Sequence, residues 1–139
     1  MLKSLLAKIY AGFVSRQVRA WASDPVGSQD KVFKELIEQA KNTKFGQDHN
    51  FKEIHSYLDF KNNVPVRDYE GLKDYIRLIL DGEKDVLWKG SPLYFAKTSG
   101  TTSGAKYIPI TKESMPYQIA AAKEALLLYI AETGKADFV

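Results

Sequence analysis

The sequence predicts a mostly helical α+β fold, four to five helices around one β-hairpin. Three observations predict it. Apolar residues recur at three- and four-residue spacing in several separated stretches, the mark of helices with one buried face. Only two short segments, Leu93–Lys97 and Tyr107–Ile110, read as strands, and a polar Gly/Ser/Thr run separates them. Finally, 45% hydrophobic and 27% charged residues in a 139-residue chain are the proportions of a globular protein. A chain of this size buries roughly two-thirds of its unfolded surface, enough for a real core.

Residues 1–23 form a basic amphipathic helix. Leu2, Leu5, Leu6, Ile9, Tyr10, Phe13, Val14, Val18 and Trp21 follow one stripe, while Lys3, Lys8, Arg16 and Arg19 occur with no acid. This segment carries +4, the whole chain +3, so the remainder sums to −1. The stripe reads as a helix docked on its own protein with a solvated basic back. A membrane surface and a nucleic acid are the other partners such a segment suggests, and four charges are thin for nucleic acid. Ile9–Ser15, the longest stretch that could serve a secretory signal, contains Gly12 and Ser15, and no A-x-A site follows, although an organelle transit peptide fits the composition.

Residues 29–82 are a helical region. Asp24-Pro25 ends the first helix in a turn. Val32, Phe33, Leu36, Ile37 and Ala40 predict a helix over about 29–42; Asn42–Asn50 reads as a loop, and Phe51–Phe60 as a short helix and turn. Val64-Pro65-Val66 is extended, because a residue before proline avoids the α region. Asp68 caps a helix carrying Tyr69, Leu72, Tyr75, Ile76, Ile79 and Leu80, and Gly82 stops it. Residues 92–111 form strand, loop and strand, with Pro109 placing the second strand at an edge. Residues 112–133 form the last helix, with Thr111 as its cap and Gly134 at its end.

The composition excludes several chemistries. There is no cysteine, hence no disulfide scaffold, no thiol nucleophile and no thiolate metal site, and the chain suits a reducing cytoplasmic compartment. The longest run free of charged residues, Ser114–Ala122, is far short of a membrane span. His49 and His55 are the only histidines, and neither their spacing nor Glu53 between them makes a metal motif, so surface or capping roles are expected. Trp21, Trp88 and the tyrosines read as core and interface packing. Arg67-Asp68 and Glu83-Lys84-Asp85 read as a solvated, self-paired surface.

The loop between the strands carries the chemistry: Lys97-Thr98-Ser99-Gly100-Thr101-Thr102-Ser103-Gly104-Ala105-Lys106. Glycines let a ligand approach the backbone, and successive N–H groups in such a turn converge into an anion-binding nest. Hydroxyls add donors, and Lys106 adds a point charge suited to phosphate. The loop is not a Walker A motif: three residues separate Gly100 from Gly104, Lys106 comes one position late, and no helix follows. A flexible polar hairpin turn is the plain alternative. A Ser103-x-x-Lys106 nucleophile is another, but it lacks the accompanying S-D-N element.

Thr98–Lys106 resembles the phosphate-binding loop of adenylate-forming enzymes, the acyl-CoA synthetase and luciferase superfamily, usually T-S-G-T-T-G-x-P-K-G. Ser103 in place of the first glycine, no proline before Lys106, and Tyr107 for the final glycine depart from that form. With Ile108-Pro109-Ile110-Thr111 they resemble instead the auxin-responsive Gretchen Hagen family, the acyl-acid amido synthetases. Lys31–Phe45 with Gly46, and Val64–Glu70, resemble two further segments of that family, so the likeness covers most of residues 29–131.

The resemblance implies part of a larger adenylate-forming N-terminal domain, in a ligase that adenylates a carboxylic acid with Mg-ATP and passes the acyl group to an amino-acid amine. It further implies that Ser99, Gly100, Thr101, Thr102, Ser103 and Gly104 cradle the ATP phosphates, that Lys106 neutralises them, and that Thr98 supports the loop base. No catalytic residue and no protein ligand for Mg2+ is assigned. A lone hairpin is marginal in water, and Ala136–Val139 looks like the start of a further extended segment, so an N-terminal fragment, inactive by itself, is expected. The other class of function is a non-catalytic helical module that self-associates through unpaired strands and apolar faces, as a dimer or by strand exchange.

Overall fold

The computed structural model describes residues 2–99 and 104–137. In order, its elements are α1 (Leu2–Ala22), α2 (Pro25–Ala40), α3 (Lys44–Asp48), α4 (Tyr57–Asn63), α5 (Lys73–Leu80), β1 (Tyr94–Lys97), β2 (Tyr107–Ile110) and α6 (Ser114–Thr133). Short 3-10 turns at Phe51–Glu53 and Glu70–Leu72 precede α4 and α5. The fold is thus mostly helical with one two-stranded antiparallel hairpin. It divides into two compact units, Met1–Gln29 with Glu113–Val139, and Asp30–Lys112.

In the first unit α1 packs on α6. The seam consists of Ala11, Val14, Leu127, Ile130 and Ala136, flanked by Ala7 and Val18, and Ser15 is also buried. Arg19 pairs with Glu132 at 3.2 Å, and Lys123 donates to the Tyr10 hydroxyl at 3.0 Å. This corrects the expected docking face in part: Val14 and Val18 of the stripe pack here, but its larger members do not. Ile9, Phe13 and Trp21 are 66%, 56% and 56% exposed, and Leu2, Leu5 and Leu6 are exposed as well. One helix covers only a strip of its neighbour, and small side chains let two helix backbones approach closely, so the small-residue strip of α1 is the packed one. Trp21 is therefore a surface residue. Gly134 ends α6 in the left-handed region at φ 69°, its N–H bonded to the Ile130 carbonyl at 2.9 Å.

α2 begins at Pro25, earlier than the periodicity indicates. Asp24 accepts from the Gly27 N–H at 3.0 Å, so Asp-Pro is cap and first helical residue rather than a turn.

The second unit has two apolar clusters. Ile37, Ala40, Phe51 and Ile54 form one, with Phe33, Phe45, Phe60 and Trp88 against it. Its rings meet edge to face, Phe33–Phe60 at 5.8 Å and Phe45–Phe51 at 5.8 Å. The other joins Ile76, Ile79 and Val86 to Tyr69, Tyr75, Phe95 and Tyr107.

α3 lies where the polar composition reads as loop. Thr43, 1% exposed, donates its hydroxyl to the Ala40 carbonyl at 2.7 Å and accepts from the Gly46 N–H at 3.0 Å. The free N–H groups of Lys44 and Phe45 bond to the carbonyls of Asp85 and Val86, at 2.7 and 2.9 Å. A helix this short is held by its ends rather than by propensity. Asp85 is accordingly an organiser of the chain rather than one side of an ion pair. It sits at φ 56° and exchanges two hydrogen bonds with Gly90, at 2.6 and 3.0 Å. His49, expected at the surface or at a cap, does end α3 but is buried, stacked on Phe45 at 4.1 Å, with Nδ1 2.8 Å from the Phe45 carbonyl oxygen. His55 is exposed, and its backbone N–H donates to Asp59.

Candidate functional site

The hairpin presents the candidate site. β1 and β2 pair antiparallel with Lys97 opposite Tyr107 and Tyr94 opposite Ile110. Pro109, which has no N–H to give, faces Phe95 in a sheet that has two strands among the described residues, where each strand pairs on one side. Beyond the last pair, the Thr98 N–H bonds to the Lys106 carbonyl at 3.0 Å and closes the loop base. Thr98 and Lys106 are half-buried there, while Ser99 and Gly104 are exposed. Gly104 adopts φ 81° with open space where a side chain would go, a conformation that costs other residues about 1–2 kcal/mol. Gly100, Thr101, Thr102 and Ser103 lie outside the described residues.

Behind the loop base stands Tyr69, which the sequence places only among the apolar positions of a helix. Asp68 accepts from the Gly71 N–H at 3.0 Å and so starts the 3-10 turn that sets Tyr69 in place. The Tyr69 hydroxyl accepts from the Tyr107 N–H at 2.9 Å. Its ring lies 5.5 Å from the Lys106 ammonium. Lys97 stands 6.0 Å from the Tyr107 ring, and Phe95 and Tyr107 meet edge to face at 6.4 Å. Beside this arm opens a cleft of about 170 Å³, lined by Tyr69, Glu70, Lys73, Arg77, Ala105 and Tyr107. Lys73 pairs with Glu70 at 3.0 Å within it. The available signal for Tyr69 is its position directly after the Asp68 cap in the Val64–Glu70 segment.

Chemically, the arm offers a cation on a fixed backbone beside a glycine-permitted turn, an arrangement suited to a multiply charged anion. Among the described residues, no group of three or more His, Asp or Glu side chains converges as a metal site. No helix among them is long and apolar enough to cross a membrane.

Residues 14–136 match the GH3 family N-terminal domain. Indole-3-acetic acid-amido synthetase GH3.15 of Arabidopsis thaliana is 40% identical over 74 residues, which is 51% of this chain and 12% of that protein. The 4-substituted benzoates-glutamate ligase GH3.12 of Arabidopsis thaliana is 30% identical over 92 residues, 66% of this chain and 16% of that protein. Among solved structures, a GH3.15 acyl acid amido synthetase superposes with a TM-score of 0.77 at 25% identity, covering 86% of this chain and 22% of that one. The chain therefore spans less than a quarter of the length of these relatives. With the family match running across both strands and most of the helices, the chain belongs to the GH3 family, as part of its N-terminal domain.

Proposed function

We propose that this chain is the N-terminal part of an ATP-dependent acid–amino-acid ligase, and that residues 98–106 hold the ATP phosphates. The observation that carries the reading is the hairpin arm itself: Lys106 on a backbone tied to Thr98 at 3.0 Å, two residues after a positive-φ glycine. Relatives named as amido synthetases and as a benzoate–glutamate ligase support the reaction class.

In this reading a carboxylate oxygen attacks the α-phosphorus of ATP and pyrophosphate leaves, giving an acyl-adenylate. An amino-acid amine then attacks the acyl carbon, and AMP leaves as the amide forms. Charge grows on the departing pyrophosphate in the first step, so donors and a cation fixed in advance around the β- and γ-phosphates lower its barrier. Ser99, Gly104 and Lys106 take that role, together with Gly100, Thr101, Thr102 and Ser103, and Thr98 holds the base. Mg2+ would arrive with the ATP phosphates. The reading also places the protein in the cytoplasm, as the cysteine-free composition suggests.

The test is ATP-dependent pyrophosphate release by the complete ligase. Lys106→Ala and Gly104→Val are expected to raise the KM for ATP at least tenfold, in line with a lost charge-assisted contact. Unchanged ATP kinetics in both would sink the assignment. The 139-residue chain by itself is expected to show no amino-acid-dependent turnover.

A second reading rests on the exposed Leu2, Leu5, Leu6, Ile9 and Phe13 of α1. An apolar face of this kind favours self-association of the isolated chain. Sedimentation of a compact monomer at high concentration would refute it.

A further inference from the structure

The peptide between Lys106 and Tyr107 is held from both sides. A trans peptide points its C=O and N–H in opposite directions. The Lys106 carbonyl turns toward β1, where Thr98 donates to it at 3.0 Å. The Tyr107 N–H therefore leaves on the edge of β2 away from β1, and there the Tyr69 hydroxyl accepts it at 2.9 Å. An edge N–H ordinarily goes to water or to another strand; here a side chain 38 residues upstream takes it. The same tyrosine puts its ring 5.5 Å from the Lys106 ammonium.

We propose that Tyr69 is the positioning residue of the phosphate loop, fixing through its hydroxyl the peptide that carries Lys106 and through its ring the ammonium itself. The proposal deepens the phosphate-loop reading and rests on it. An aromatic face suits the task better than a carboxylate would. A carboxylate would orient the lysine but neutralise it and compete with the incoming phosphate. A ring attracts the cation weakly and leaves its full charge for the ligand. Tyr69 is itself well held. Its ring packs on the Ile76, Ile79 and Val86 cluster, and the Asp68 cap fixes the turn it starts. The ligand this arrangement serves is the polyphosphate tail of a nucleoside triphosphate, whose several charges can draw the ammonium off the ring. The carboxylate substrate brings a single charge, and the acyl group once adenylated brings none.

The experiment compares Tyr69→Phe, Tyr69→Leu, Lys106→Ala and the double variant Tyr69→Leu/Lys106→Ala in the complete ligase, with circular dichroism as the check on folding. KM and kcat are read separately for ATP and for the carboxylic acid. Tyr69→Phe keeps the ring and loses the hydroxyl, and should raise the KM for ATP about threefold. Tyr69→Leu loses both and should raise it about tenfold, with the KM for the acid within twofold of wild type. On the Lys106→Ala background, Tyr69→Leu should add less than twofold. An equal effect of Tyr69→Leu with and without Lys106 would overturn the proposal, since it would mean a structural role only. So would an unchanged ATP KM in a folded Tyr69→Phe, and that variant decides the matter if Tyr69→Leu does not fold. An unchanged ATP KM in Lys106→Ala overturns the proposal, and together with an unchanged Gly104→Val it removes the phosphate-loop reading itself. A large effect of Lys106→Ala beside none of Tyr69→Phe leaves that reading standing and removes only Tyr69.

Discussion

Replacing Gly46 by alanine sets two physical effects against each other in one helix. By propensity alone, alanine for glycine inside a helix stabilises by about 0.5–1 kcal/mol. Gly46, however, is buried in the middle of α3, and a Cβ built on it falls 2.1 Å from the Ala40 carbonyl oxygen and 3.1 Å from the Lys41 carbonyl carbon. Both obstacles are backbone. The Ala40 oxygen cannot yield freely, because it accepts from the Thr43 N–H at 3.0 Å and the Thr43 hydroxyl at 2.7 Å. Relieving the overlap means moving a backbone by about 1 Å, which breaks the Thr43 bonds at about 1 kcal/mol each, with a further 1–3 kcal/mol for overpacking. The clash wins, and Gly46→Ala should destabilise by about 3 kcal/mol. Gly12 in α1 is the control: it meets nothing within 4 Å, so Gly12→Ala should stabilise by about 0.5–1 kcal/mol. Urea unfolding followed by circular dichroism at 222 nm reads both. The midpoint should fall by about 1–2 M for Gly46→Ala and rise slightly for Gly12→Ala. If Gly46→Ala lies within about 0.5 kcal/mol of wild type, or both variants gain stability, propensity rules and the close approach of Ala40 to α3 is refuted.

Further perturbations probe other parts of the molecule. Ala11 is fully buried in the α1–α6 seam, so Ala11→Leu should cost about 1–3 kcal/mol, whereas exposed Leu6→Ala should stay within about 0.5 kcal/mol; urea midpoints in the reverse order would return the large residues to the packed face. The Ser56 hydroxyl and the His55 N–H hold the Asp59 carboxylate below its ordinary pKa, so its contribution to stability is present at neutral pH and is lost as pH falls through the folded value. An NMR titration should show Asp59 rising toward the ordinary value in Ser56→Ala; no change would refute the capping account. Tyr75 is pushed up by burial and by its bond to Asp48 at 2.9 Å, so it favours folding below the unfolded pKa and loses that as pH rises through the folded one. Phenolate absorbance should appear at lower pH in Asp48→Ala than in wild type, and an unchanged titration would count against the bond.

Much of the fold is legible in the sequence where local chemistry decides it. The hairpin shows in two short strands around a Gly/Ser/Thr run, and Gly134 marks the end of α6. What is misread has a common physical cause: the deciding partner lies far along the chain. The stripe of large residues on α1 outweighs the small ones by hydropathy, yet packing on a single helix selects the small ones. α3 has no periodicity to detect, because its first N–H groups are satisfied by Asp85 and Val86. Asp24-Pro25 serves equally as a turn and as a helix start, and only the bond to Gly27 decides between them. Within the candidate site Lys106 is visible as a charge beside glycines, whereas Tyr69 earns its place through a bond across 38 residues.

The two bonds from Lys44 and Phe45 to residues 85 and 86 also govern when α3 can exist. A five-residue helix cannot nucleate alone, so it must wait for a loop of about forty residues to close. Its amides then exchange with solvent only when that closure is undone. Slow exchange at Lys44 and Phe45 would thus report the opening of the whole Asp30–Lys112 unit rather than the fraying of a short surface helix.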